Sequence, residues 1–339
     1  MHPFFSIVLT AYNSESSLGK TVRSILDQDY SDYELIIVDD GSNDQTFDIA
    51  RFMAVNNPQI HAYAQNNSGV SAARNHGMGK ATGEYLLFVD CDDDLPLGSL
   101  REYKDFLDEH HVDICFAQYI QEKQGKRITR NTLNTSRAVL SGNEDKASVL
   151  SCLFEGEGFD AAHRVQLAGC VWAKAYRLAF LNGNDLTFDP RLRRAQDIEF
   201  NTRAITRAAE IGNLRHATYL YYLFEGSHSH KIDTKLPQLY TLLLSLLHHE
   251  TQGYDSSNLD AAFNIFTVNS SFLLLQRSVP WDDHRARVRL LKGLYRQPIF
   301  RNALKALPIR SAHSIGEFCK LAFLKLHWYS LLTYLIHER

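Results

Sequence analysis

Apolar runs that stop at acids recur along the first hundred positions of the chain. Phe5-Ser6-Ile7-Val8-Leu9-Thr10-Ala11-Tyr12 is uncharged and rich in apolar and β-branched residues, as expected of a buried first strand. Asn13 to Ser17 supplies helix-start residues, and Leu18, Val22, Ile25 and Leu26 then recur at helical spacing. Tyr33 to Val38 reads as a second strand and runs into Asp39-Asp40-Gly41-Ser42-Asn43-Asp44. Gly41 suits a tight turn, and the three residues after it suit the N-cap of a helix through Phe47 and Ile49. Strand, helix and strand at this spacing predict a βαβ unit with parallel pairing and a right-handed crossover. A third strand is expected near Ile60 to Ala64, then a helix of small residues opened by Ser68 and Gly69. Tyr85 to Val89 is apolar throughout, the pattern of a strand buried on both faces, and it ends at Asp90.

The second half is less regular. Asp113 to Ala117 predicts another strand, and the polar stretch from Gln121 to Asn134 a hairpin or loop. Lys146 to Phe154 reads as helical, as do Leu236 to His248 and Ala261 to Leu275. In the last stretch, Phe318 to Ile336, helical spacing sets Leu321, Leu324, Trp328, Leu331, Leu332 and Leu335 on one face. Lys325 and His327 interrupt it, so it is not expected to cross a bilayer. From Arg285 onward basic residues dominate, among them Arg287, Arg289, Lys292, Arg296, Arg301, Lys305, Arg310, Lys320 and Lys325. A Trp- and Tyr-bearing amphipathic helix in that setting suits the anionic inner face of a cell membrane. The alternative is packing on the rest of the chain, or on a second copy in a homodimer.

Composition narrows the classes. A net charge of −3 supplies no basic field to collect nucleic acid phosphates. The five cysteines are dispersed, without C-x-x-C spacing, so neither a disulfide framework nor a structural zinc site is expected. Met1-His2-Pro3-Phe4-Phe5 lacks the basic and long apolar regions of a signal peptide. A reducing cytoplasm, at most with a peripheral membrane attachment, is the natural reading.

Four aspartates lie within five positions at the end of the strand from Tyr85: Asp90, Asp92, Asp93 and Asp94. They repel one another and need compensation. The crevice beyond the carboxyl ends of parallel strands is where ligands bind, and carboxylates there suit a hard divalent cation bridging to phosphate. An acidic turn broken by Pro96 and Gly98 is the plainer reading. Arg74 is the sole cation of the turn from Asn66 to Gly77. It either covers a helix face or meets phosphate and balances the aspartates, and two acidic strand ends nearby favour the second.

Taken together, Thr10-Ala11-Tyr12-Asn13, Val38-Asp39-Asp40-Gly41-Ser42, Gly69-Val70-Ser71-Ala72-Ala73-Arg74-Asn75 and Phe88-Val89-Asp90-Cys91-Asp92-Asp93 resemble the successive motifs of glycosyltransferase family 2. The resemblance covers roughly the first 230 residues. It implies an α/β GT-A fold: a mostly parallel sheet flanked by helices, with a nucleotide-sugar half at 1–118 and an acceptor half at 119–235. Residues 236–339 would form a helical C-terminal region. The implied donor-binding set is Thr10, Ala11, Tyr12, Asp40, Arg74, Asp90, Cys91 and Asp92. Asp40 would accept from the base ring, which favours uridine, and Arg74 would support the base or the diphosphate. Asp92, helped by Asp93, would hold Mn²⁺ or Mg²⁺.

Further on, Gln196-Asp197 is similar to the family's Glu-Asp pair, whose Asp is the catalytic base; Asp197 also suits a helix N-terminus. Tyr221 to Ser229 resembles the family's closing segment without its usual basic residue, leaving His228 and His230 as candidates for phosphate or metal. The resemblance therefore implies an inverting, metal-dependent enzyme. It would move a hexose or hexosamine from a UDP-sugar to a hydroxyl of a saccharide or lipid-linked acceptor in surface polysaccharide synthesis. The rival readings are a non-catalytic nucleotide-sugar- or polysaccharide-binding protein, a membrane scaffold carried by the C-terminal helices alone, and a nucleotidyltransferase. The last would need a Gly-rich loop after the first strand, which Thr10-Ala11-Tyr12-Asn13 does not supply.

Overall fold

The structure is a computed structural model that describes residues 2–155, 168–223, 232–309 and 314–336. These residues fall into two compact units, one within Met1–Lys146 and Ala168–Phe224, the other within Ala147–Leu167 and Glu225–Arg339.

The first unit opens as the apolar runs predict: β1 (Phe5–Ala11), α1 (Leu18–Leu26), β2 (Tyr33–Asp39), α2 (Thr46–Asn56), β3 (Ile60–Ala64), α3 (Val70–Met78), β4 (Tyr85–Asp90) and α4 (Ser99–His110). β3, β2, β1 and β4 are adjacent in that order and all parallel. The chain leaves β1 toward β2 on one side and returns to β4 on the other, so the carboxyl ends of β1 and β4 flank a topological switch point. β1, β2 and β4 are buried on both faces, which is why they read as unbroken apolar runs. Two glycines set the geometry there. At Gly77 a Cβ would lie 2.4 Å from Val8 Cγ1, so α3 rides directly on β1. At Gly41 the backbone turns with φ 73° against the Asn67 amide, and a side chain would collide with it.

The second half of the sheet comprises β5 (Ile114–Lys123), β6 (Lys126–Arg130), β7 (Val139–Ser141), β8 (Lys174–Arg177) and β9 (Glu210–Tyr222). The full order is β3-β2-β1-β4-β8-β5-β9-β7, with β6 pairing β5. β8 runs antiparallel between β4 and β5, while β5 and β9 are parallel. The polar stretch after Gln121 is a hairpin turned by Gln124-Gly125, both with positive φ as a tight hairpin turn requires. α5 (Gly142–Glu155) follows β7, α6 (Leu178–Gly183) follows β8, and α7 (Gln196–Arg207) carries Asp197 in its first turn.

The second unit is helical: α8 (Leu236–Thr251), α9 (Ser257–Arg277), α10 (His284–Arg296), α11 (Pro298–Ala306), α12 (Ile315–Lys325) and α13 (Tyr329–Leu335). The single amphipathic face expected over 318–336 is corrected here, because two helices replace one. The His327 amide returns to Leu324 O at 3.1 Å and the Trp328 amide to Phe323 O at 2.8 Å, with His327 left-handed at φ 58°. That is a Schellman closure, and it redirects the chain. Leu321, Leu324 and Leu332 are buried, whereas Trp328 and Leu331 stay exposed. Among the described residues no helix is long and apolar enough to cross a membrane.

Candidate functional site

The loops after β1 and β2 are tied to each other. The Asn13 amide donates to Ser42 Oγ at 2.8 Å, and the Asn43 amide to Asn13 Oδ1 at 2.9 Å. Asn13 sits at φ 49°, a left-handed conformation that a short polar side chain tolerates. Beside it Tyr12 is 48% exposed, an aromatic face open at the carboxyl end of β1. Thr10 is half-buried and Ala11 buried in the strand.

Asp40 is buried and heavily used. Its Oδ1 accepts from Gln65 Nε2 at 2.8 Å and the Ser68 amide at 2.9 Å, and its Oδ2 from the Gly69 amide at 2.8 Å. The carboxylate expected to read a nucleobase thus first shapes the loop that opens α3. Oδ2 has one donor, leaving capacity for a base N–H.

At the end of β4 the aspartates take four different environments. Asp90 Oδ1 accepts from Arg74 Nη2 at 3.0 Å. Burial raises its pKa, with Asp197 and Asp92 adding to the rise and Arg74 opposing it. Asp92 is exposed and has no hydrogen bond or ion pair to any described residue. Asp93 is buried: Tyr219 Oη donates to it at 2.8 Å and the Tyr222 amide at 3.0 Å. Burial and neighbouring Asp90 push its pKa up to about 8. Asp94 accepts from Tyr222 Oη at 2.6 Å and pairs with Lys20 at 2.7 Å. Asp93 and Asp94 therefore fasten the acidic loop to β9. The expectation of Asp93 as a metal helper meets a physical objection, since it is 2% exposed and each of its oxygens already accepts one protein hydrogen bond. Cys91 turns its thiol to Ser14 Oγ, 2.9 Å away, and burial raises its pKa to about 12.

Arg74 is placed differently from the expectation of a base or diphosphate ligand. It is 4% exposed, and its guanidinium bridges Asp90 and Asp197. Burial disfavours its charge, but the two carboxylates outweigh burial and raise the pKa. It also lies 5.3 Å from the Phe188 ring centre and 6.0 Å from that of Phe88. The backbone before Asp197 is strained, with Ala195 at φ 55°.

Sequence reasoning missed Lys20, Gln65 and Tyr219, because each acts through a partner far away in the chain, and Lys174, because its burial is decided by the fold. The segment to Ser229, with His228 and His230, lies outside the described residues beyond Leu223. Lys174 is fully buried, donates to the Cys170 carbonyl and sits 4.6 Å from the Phe116 ring centre. Burial lowers its pKa to about 8, although Asp197 and Cys170 pull the other way. The unfolded chain, at the ordinary 10.5, therefore binds more protons between pH 8 and 10.5, so stability rises with pH across that window. Lys174→Met is expected to be more stable at pH 7 by at most about 3 kcal/mol. That advantage should shrink as denaturation is repeated toward pH 10; a pH-independent difference would assign it to packing instead.

The residues present fit a divalent cation. Mg²⁺ and its relatives are held by one or two carboxylates together with substrate phosphates. Asp92 offers an uncommitted carboxylate and Asp90 a second one beside it. Among the described residues no group of three or more His, Cys, Asp or Glu could hold a metal by itself.

Residues 6–159 match the sequence pattern of Glycosyl transferase family 2. Over 254 residues the chain is 28% identical to the uncharacterized glycosyltransferase EpsJ of Bacillus subtilis (strain 168), covering 74% of this chain and 71% of that protein. It is 29% identical over 229 residues to the poly(ribitol-phosphate) beta-N-acetylglucosaminyltransferase TarS of Staphylococcus aureus (strain Mu50 / ATCC 700699). That alignment covers 66% of this chain and 36% of the enzyme. The crystal structure of S. aureus TarS 1-349 in complex with UDP-GlcNAc superposes with a TM-score of 0.66 at 22% identity, over 99% of this chain and 90% of that one. At that identity the likeness shows the fold.

Proposed function

Because this chain belongs, through residues 6–159, to glycosyl transferase family 2, we propose that it transfers a hexose or hexosamine from a UDP-sugar to a hydroxyl of a saccharide or lipid-linked acceptor in surface polysaccharide synthesis. The observation that carries this reading is the meeting of Asp90, Arg74 and Asp197 at the switch point of the parallel sheet, with Asp92 and Tyr12 exposed beside them. TarS, with which the fold is shared, is named for N-acetylglucosaminyl transfer and has been crystallised with UDP-GlcNAc, which supports a UDP-sugar here.

Tyr12 offers a face for the uracil ring, and Asp40 Oδ2 can accept its N–H. Asp92, with Asp90, would hold Mn²⁺ or Mg²⁺. A cation there supplies charge neutralisation for the diphosphate leaving group. Asp197 stands near Asp90 through Arg74 and takes the proton of the acceptor hydroxyl. The acceptor oxygen bonds to the anomeric carbon as the bond to the diphosphate oxygen breaks, its electron pair leaving with UDP. One displacement inverts the anomeric centre. Purified protein screened against UDP-sugars for UDP release, with and without Mn²⁺ and acceptor, tests this. No release from any UDP-sugar under any condition would leave a binding protein instead.

The same reading places the enzyme at the inner face of the membrane. Arg285, Arg289, Lys292 and Arg296 are exposed at successive turns of α10. Lys292 lines one shallow pocket with Trp328 and Leu331, so a basic stripe lies beside an exposed Trp and Leu. Deleting the chain from Glu317 would strip Leu321, Leu324 and Leu332 from the core of the helical unit, so point changes are the better test. Trp328→Ser/Leu331→Ser is expected to lose binding to anionic vesicles at unchanged melting temperature. Wild-type binding should weaken with salt, at about 1 kcal/mol per basic residue near the surface. Equal binding by both proteins would count against the membrane surface.

A further inference from the structure

Between α6 and α7, residues 184–195 contain no helix or strand, so no backbone ladder fixes this stretch. It nevertheless delivers Asp197. Three side chains on one face of α3, at positions i, i+3 and i+4, hold it. Ser71 Oγ donates to Leu192 O at 3.1 Å. Asn75 clasps Phe188 at both backbone groups, Nδ2 donating to its carbonyl and Oδ1 accepting from its amide, each at 2.8 Å. Arg74 bonds Asp197 itself and, through its other nitrogen, Asp90 at 3.0 Å. The Phe188 ring covers the guanidinium and stacks on Phe200 at 4.2 Å, which locks the start of the stretch to α7.

We infer that Ser71, Arg74 and Asn75 are positioning residues that register Asp197 against the donor side of the site, with Arg74 a tether between two carboxylates and not a nucleotide ligand. The inference rests on the reading of Asp197 as the base. Arg74 is 4% exposed, has each terminal nitrogen bonded to a carboxylate, and lies close to the Phe188 and Phe88 rings, so turning it toward a diphosphate would break two buried charge-assisted bonds. A guanidinium fork can serve two carboxylates at once; a lysine ammonium is a point charge on a flexible stem and holds neither in a fixed direction. The base then keeps its charge partner but loses its register, and displacement by about an ångström is enough to cost on the order of a hundredfold in rate.

The test uses the full chain with Mn²⁺, a UDP-sugar and an acceptor. Arg74→Lys is expected to lower kcat about a hundredfold and Asn75→Ala about tenfold, while donor KM and UDP affinity by calorimetry stay within about threefold. UDP affinity doubles as the check of folding, and Ser71→Ala, which removes a single hydrogen bond, gives the same kcat-only signature on a smaller scale should either variant fail to fold. In an Asp197→Asn background each change should add little, because residues acting as one unit are not additive. A tenfold or greater loss of UDP affinity in Arg74→Lys with kcat preserved would overturn the inference and make Arg74 a nucleotide ligand. So would full additivity with Asp197→Asn. If Asp197→Asn alone is fully active, the failure belongs to the base assignment and not to the tether.

Discussion

Asp197→Asn should cut turnover by about a hundredfold to ten-thousandfold, the range of a lost general base, while UDP-sugar affinity stays within a few-fold. The amide keeps the size and a contact for Arg74 but cannot take a proton from the acceptor. Arg74 then balances its buried charge on Asp90 alone, and a buried charge deprived of a partner is costly, so the melting temperature should fall as well. UDP binding by calorimetry separates the two effects: a folded protein that binds UDP normally and turns over slowly has lost chemistry. If turnover persists, or donor binding collapses instead, the base lies elsewhere. Gln196→Glu puts an acid where the family resemblance implies one, next to the proposed base. Its amide oxygen is buried without a hydrogen-bond partner, so no existing bond is lost, and activity should be tolerated.

Asp92→Asn should abolish metal-dependent transfer, a loss on the order of a hundredfold or more, since cation stabilisation of a leaving diphosphate is worth several kcal/mol. Stability should change by no more than about 0.5 kcal/mol, because this exposed carboxylate makes no bond to the described protein. UDP affinity in Mn²⁺ should fall to the wild-type value measured in chelator. Asp93→Asn is the informative contrast. Its carboxylate joins Tyr219 and the Tyr222 amide, so that variant should lose stability while the remaining activity still responds to Mn²⁺. Full metal-dependent activity in Asp92→Asn would remove this residue from the cation site.

Legibility of the site followed the range of the interactions. Asp90 and Asp92 stood out as candidates because they lie where an apolar strand run ends, and strand ends of a βαβ sheet gather at one edge, whereas Tyr12 and Asp40 were proposed through the family resemblance. Asp197 was readable only through its resemblance to a family motif, since a lone acid at a helix start has a sufficient local reason to be there. The partners of these residues were not readable. Nothing near Asp93 in the chain announces Tyr219, and nothing near Asp40 announces that its oxygens accept from Gln65, Ser68 and Gly69.

The C-terminal helices show the same divide. Leu321 to Leu335 has the spacing of one amphipathic face, yet His327 enters a left-handed turn and two helices form, with Leu324 and Leu332 buried and Trp328 left outside. Periodicity registers which residues avoid water but not which neighbour covers them. Unbroken apolar runs and turn chemistry, acting over a few residues, were enough to predict β1 to β5 and the first helices from sequence alone, but not β7, β8 or β9. The sharing of Arg74 between Asp90 and Asp197, which are 107 positions apart in the chain, was decided only by the fold. A buried guanidinium must find carboxylates, and which ones it finds depends on the packing that brings α3, β4 and α7 together.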